Sequence, residues 1–151
     1  METAHDGSFI SPNDGKKYSV FADTITVKVP SEMTNGTYSI SEDVTPPGQG
    51  APPHVHSREQ ETFIVLEGEY EFQCGEQKFK TTKGGMVVLP KDIPHAFRNI
   101  GNIIGKTLVI VVPGGMEKIF DDISAMPPGP PDIGKINAIT MRYGVKFLPM
   151  G

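Results

Sequence analysis

The chain has 151 residues, a formal net charge of −4, 37% hydrophobic residues, 17 glycines and 14 prolines. Glycine and proline together approach the level at which disorder becomes a candidate, but the apolar content is too high and the net charge too small for a disordered chain. The length fits one domain. The longest clean apolar run, Leu108–Val112, is far short of a membrane span, and the lack of a Lys/Arg cluster argues against nucleic acid or an anionic membrane as partner.

Residues 1–20 lack the apolar core of a secretory leader and read as an N-terminal arm, with His5 in its frayed, polar start. The single cysteine, Cys74, cannot form an internal disulfide, which points to a reducing, cytoplasmic setting. Thr24–Val29 alternates β-branched and polar residues and is expected to be a strand with an apolar edge. Asn35-Gly36 accepts positive φ and predicts a type I′ hairpin turn into a strand over Thr37–Val44. Thr62–Leu66, Glu69–Cys74, Gln77–Thr82, Met86–Leu89, Ala96–Ile100 and Thr107–Val112 continue the series, with Gly, Pro or Asn between them. Short strands at such spacing favour an all-β sandwich or barrel over residues 21–113.

Beyond Gly114 the period changes. Met116, Ile119, Phe120 and Ile123 form the stripe of a short amphipathic helix, and Ile133, Ile136, Ile139 and Tyr143 suggest a second, closed by Gly144. The two stripes are expected to pack on the outside of the sheet. Pro127–Pro131 (PPGPP) reads as a joint, and residues 114–151 as a helical C-terminal extension of the same domain.

Three of the four histidines lie in the strand-rich middle. His54 and His56 are one residue apart, so on an extended chain both imidazoles project to one face. Glu61 opens the next strand, and His95 follows Pro94 at the start of another. Inside a barrel these four would converge into a nitrogen/oxygen site suited to Fe, Mn, Co, Ni, Cu or Zn rather than Ca or Mg. Without such a frame, they would be unrelated surface histidines and a solvated glutamate.

The frame is present. Gly48 to Gly68 runs G-x5-H-x-H-x4-E-x6-G, and Gly84 to Asn99 runs G-x5-P-x-D-x2-H-x3-N. These stretches resemble the paired signature motifs of the cupin superfamily, matched by Gly48, His54, His56, Glu61 and Gly68 and by Gly84, Pro90, His95 and Asn99. Asp92 stands where the family has glycine, a mild departure because aspartate tolerates the left-handed region better than most residues.

The resemblance implies a small jelly-roll barrel with short C-terminal helices. It also implies one divalent transition metal on His54, His56, Glu61 and His95, with Glu61 either a fixed ligand or a general base. Strand alternation places Phe63, Val65, Phe97 and Asn99 inward, so Phe63 and Phe97 are candidate pocket walls, with Met86, Val88 and Tyr38 as further candidates. The implied activity is a quercetinase-like dioxygenase that consumes O2 and a small enol, flavonol or diketone. The alternatives are a non-redox isomerase, cyclase or decarboxylase, and a non-enzymatic small-molecule binder. A homodimer is expected through the edge offered by Thr24–Val29.

Overall fold

A computed structural model describes residues 7–127 and 132–149. His5 and most of the PPGPP joint lie outside them. Alternation of apolar and polar residues yields eleven strands: β1 (Lys16–Val20), β2 (Asp23–Val29), β3 (Ser39–Thr45), β4 (Gly50–His56), β5 (Gln60–Glu67), β6 (Tyr70–Cys74), β7 (Gln77–Thr81), β8 (Met86–Leu89), β9 (His95–Asn99), β10 (Gly105–Val112) and β11 (Val145–Phe147). They form two antiparallel sheets, ordered β1-β2-β3-β10-β5-β8 and β11-β4-β9-β6-β7. The inward faces meet in one core of Phe63, Val65, Tyr70, Phe72, Val87, Leu89, Phe97, Val109 and Val111. This is the expected all-β jelly-roll barrel. No helix among the described residues is long and apolar enough to cross a membrane.

Several expectations change. Residues 16–20, expected to belong to the N-terminal arm, form β1 and pair with β2 from Lys16↔Val27 to Val20↔Asp23. Strand β2 therefore lies between β1 and β3, and Thr24–Val29 is not an edge. Asn35 (φ 54) and Gly36 (φ 80) do take positive φ. They close a 3-10 turn over Ser31–Thr34, however, so the link between β2 and β3 is longer than a two-residue hairpin. Asp92 sits at φ 67, in the left-handed region the family's glycine would adopt, and its N–H donates to the His56 carbonyl at 2.7 Å.

Two short helices follow the barrel, α1 (Ile119–Ser124) and α2 (Ile133–Thr140). The side chain of Asp132 caps the second by accepting from the Lys135 N–H at 3.1 Å. Their apolar stripes do not lie on the outer surface of a sheet. Ile119 and Ile136 bury against Val145 and Phe147 of β11, with Phe21, Phe120, Ile123 and Met126 around them. Ile119, Phe120 and Ile123 also line the cavity inside the barrel, so this second core closes one end of it.

Glu117 joins this segment to the barrel. It is only 5% exposed, and its carboxylate accepts from the N–H groups of Ser31 at 2.7 Å and Gly115 at 2.8 Å. Burial opposes its charge, but these hydrogen bonds outweigh burial and hold the carboxyl below its ordinary range. A depressed carboxyl stabilises the fold above its unfolded pKa of about 4.3, and that contribution is lost as pH falls through the lower folded value. Glu117→Gln is expected to lower the unfolding free energy by about 1–3 kcal/mol at neutral pH, measured by urea denaturation. The gap between variant and parent should close below about pH 4; a gap independent of pH would contradict this role.

Candidate metal centre

Strands β4 and β9 pair as Gly50↔Arg98 and Ala51↔Phe97, then as His54↔His95, with a register shift between Ala51 and His54. Pro52 and Pro53 occupy that shift. Neither has an N–H to give the ladder, so a bulge is the arrangement that accommodates both. The extra residue inverts the parity of β4 and turns His54 and His56 inward, leaving them 7% and 3% exposed. Glu61, the second residue of β5, and His95, the first of β9, face the same space and are equally buried.

One ligating atom from each of His54, His56, Glu61 and His95 lies within 4.8 Å of the others. Glu61 Oε1 is 3.1 Å from His56 Nε2 and 3.1 Å from His95 Nε2. Yet neither Glu61 Oε1 nor His95 Nε2 makes an aligned hydrogen bond. Short distances without alignment suit ligands that converge on a common point better than a salt bridge. Three imidazoles and one carboxylate, all buried, fit a divalent transition metal.

Partners behind the ligands fix their orientation. His54 Nδ1 lies 2.8 Å from the Pro52 carbonyl, so it donates there and presents Nε2 to the site. His56 Nδ1 lies 3.2 Å from Glu59 Oε1, a carboxylate 5% exposed. Glu59 escapes a sequence reading, since in Ser57–Gln60 it resembles any solvated charge. The His54 ring stacks on Phe147 at 5.1 Å and meets His95 edge-on at 4.5 Å. Phe147 is also invisible as a site residue in the sequence, because its place depends on β11 pairing Phe147↔His54 from the far end of the chain.

The electrostatics separate the histidines. Burial, then the neighbouring His95 and His56, push His54 down to about 3, so it is neutral. Burial also opposes charge on His56, but Glu61 and then Glu59 prevail and raise it to about 10. Burial would likewise raise Glu61, and the close approach of His56, then of His95, instead holds it well below the carboxylate range.

His54, His56 and Glu61 border a cavity of about 110 Å³. Phe63 and Phe97 line it, as strand alternation requires. Met86 and Val88 do not: they are 62% and 53% exposed, because in β8 it is Val87 and Leu89 that face the core. Tyr38 precedes β3 and is also exposed, while Ser39, Ser41 and Asp43 supply that wall. Cys74 is buried, and burial pushes its thiol up, consistent with an inert residue.

Residues 42–111 match the family described as Cupin domain. A protein of Methanocaldococcus jannaschii described as uncharacterized is 32% identical over 75 residues, which are 50% of this chain and 60% of that protein. Among solved structures, KdgF from Halomonas sp. superposes with a TM-score of 0.66 at 16% identity, over 75% of this chain and 99% of its own. A predicted oxalate decarboxylase from Thermotoga maritima gives 0.62 at 18% identity, over 70% of this chain and 98% of its own. These likenesses show a cupin fold.

The ligand assignment predicts that His54→Ala combined with His95→Ala abolishes retention of Mn, Fe, Co, Ni or Zn through gel filtration, as read by elemental analysis. Metal at parental occupancy in the double variant would show that the ligands lie elsewhere.

Proposed function

We propose that this chain is a metal-dependent cupin enzyme, and that its reaction is the dioxygenation of a small enol or 1,3-diketone. The observation that carries this reading is that the cluster faces a cavity, through His54, His56 and Glu61, rather than solid core, as a catalytic site requires and a structural one does not. A redox-active metal would supply the route by which an enolate and O2 exchange electrons. The chain's own residues do the rest. Phe63, Phe97, Val109, Val111 and Phe147 wall the cavity with apolar surface and exclude bulk water. Glu61 supplies the carboxylate ligand through Oε1, the oxygen that lies between His56 and His95.

Size narrows the substrate class. A cavity of roughly 150 Å³ holds a single benzene ring, so 110 Å³ suits a compact molecule and not a three-ring flavonol. A second reading is a non-redox isomerase, cyclase or decarboxylase. The observation favouring it is a pair of carboxyl groups, Asp23 and Asp43, in the same cavity, acid–base equipment for which an oxygenase has less need. A reducing, cytoplasmic setting fits the single, buried thiol.

With Fe(II), Mn(II), Co(II) or Ni(II) bound, the protein is expected to consume O2 in the presence of small enols or 1,3-diketones and much less with flavonols, followed with an oxygen electrode. Turnover of a substrate without O2 would favour the non-redox reading, and no uptake with any of them would defeat the oxygenase.

The homodimer is proposed on a different surface from β2. The outer face of the larger sheet carries Ile40, Ile64, Leu108 and Ile110, partly buried, beside exposed Met86, Val88 and Val112. A patch of this extent fits a self-complementary, two-fold contact. Light scattering after gel filtration should give twice the 16.4 kDa chain mass, and Val88→Glu should yield the monomer. A monomeric parent would sink the proposal.

A further inference from the structure

The cavity at the metal cluster continues along the inward face of β3. Ser39 pairs with Val111, which pairs with Glu61, so Ser39 stands in the ligand row. Ser41 follows, and Asp43 lies four residues on, about 13 Å along the strand. Asp23, at the start of β2, reaches hydrogen-bonding distance of Asp43. Both aspartates line the cavity and both are 5% exposed.

Their partners do not satisfy them. The Thr45 hydroxyl donates to Asp23 Oδ2 at 3.0 Å. Asp23 Oδ1 and Asp43 Oδ1 have no donor, and the hydroxyls of Thr107 and Tyr70 are also unpartnered. Thr107 is the register neighbour of Asp43 on β10, and both Thr107 and Tyr70 are fully buried. The Tyr70 phenol is held above its ordinary range by burial, with Asp43 and Asp23 adding to it. Among the described residues that line the cavity there is no lysine or arginine, so the aspartates are not half of a salt bridge. Of these groups the two aspartates line the cavity and Thr107 and Tyr70 do not, so it is the unpartnered aspartate oxygens that call for an occupant.

Two touching carboxylates in a buried site cannot both ionise, so the pair holds a proton between its members. That proton is engaged within the pair, which presents its remaining carboxylate oxygens as acceptors to which a hydroxyl group can donate. The wall between it and the metal cluster carries the neutral hydroxyls of Ser39 and Ser41, with Phe63, Phe97 and Val109 around the same space. Ser39 and Asp43 lie roughly 13 Å apart along β3, so a ligand that reaches both ends of the cavity is an extended one.

We propose that Asp23 and Asp43, beside Thr107, form a polar subsite at the far end of the metal cavity, which binds the terminal hydroxyl of a small acyclic molecule whose other end lies at His54, His56, Glu61 and His95. This rests on the metal-site reading and names a substrate class for it: a hydroxylated chain of a few carbons. The aspartates position the substrate and act through no ligand of the metal.

The test uses the full chain loaded with Co(II), its cobalt content measured first, and calorimetric titration with 6-hydroxyhexanoate, hexanoate and 6-aminohexanoate, alongside their four-carbon homologues. In each, the carboxylate can reach the metal and only the far group differs. The hydroxy acid is expected to bind at least about tenfold more tightly than the plain acid, the worth of one hydrogen bond to a charged group. Asp43→Asn and Asp23→Asn should each bring the two within about twofold while leaving hexanoate unchanged. Should a variant fail to fold, the discrimination shown by the parent protein carries the test alone. Cobalt retained without discrimination, or without binding of any probe, overturns the subsite only. Cobalt not retained overturns the metal-site reading and this proposal with it. Preference for the amino acid would make the pair a cation site and overturn the hydroxyl assignment.

Discussion

Without the extra residue that the Pro52–Pro53 bulge inserts into β4, the strand would continue inward from Ala51 through Pro53 to Val55, and both histidines would face outward. A pair of prolines is an unusual choice within a sheet, because each removes a ladder hydrogen bond. Here the lost bonds fall where the ladder must break in any case. The Pro52 carbonyl is then free to accept from His54 Nδ1, and the Pro53 carbonyl accepts from the Leu148 N–H. The local defect therefore sets the parity of two ligands, the tautomer of one, and the docking of β11.

Burying four ionisable ligands in an apolar barrel is costly unless each is compensated. The compensation here comes as a relay from the centre outward: Glu61 against His56 and His95, Glu59 behind His56, and the Pro52 carbonyl behind His54. Apolar surface completes it, with Phe147 laid on the His54 ring to exclude water. What remains unsatisfied inside the ring, Glu61 Oε1 and His95 Nε2, is what a cation would take up. The stability of the apo barrel and its affinity for metal are thus opposed: each further protein partner given to those atoms would favour the empty fold at the expense of the loaded one.

The parts of this arrangement legible in the sequence are those with short-range spacing. The H-x-H pair and His95 could be placed because each follows a proline directly, and Glu61 because it lies at a fixed short spacing from His56. The left-handed backbone at Asp92 follows from the same local chemistry. Residues whose role depends on distant pairing were not legible. In β8, M-V-V-L is apolar at every position, so alternation cannot say which half faces in, and the structure turns Val87 and Leu89 inward instead of Met86 and Val88. Strands β1 and β11 are too short and too polar at their ends to announce themselves, and the partner of β11, strand β4, lies far away in sequence. Phe147 acquires meaning only through the pairing of β11, and Asp23 only through the packing that brings it to Asp43.

A division of labour follows from where the cavity wall comes from. The metal ligands all lie within residues 42–111, the stretch matched to the cupin domain. Much of the remaining lining comes from outside it: Val20, Asp23 and Ile25 from the N-terminal hairpin, and Ile119, Val145 and Phe147 from the C-terminal segment. Local motif chemistry therefore assembles the four-residue cluster, while the flanks set the shape and polarity of the space beside it. Those flanks are not free to vary singly, because Phe21 packs edge-on against Phe147, and Tyr18 hydrogen-bonds to Asp121 of α1. A change of substrate in such a fold requires coordinated change at both ends of the chain, since the two ends share one apolar core and one wall of the cavity.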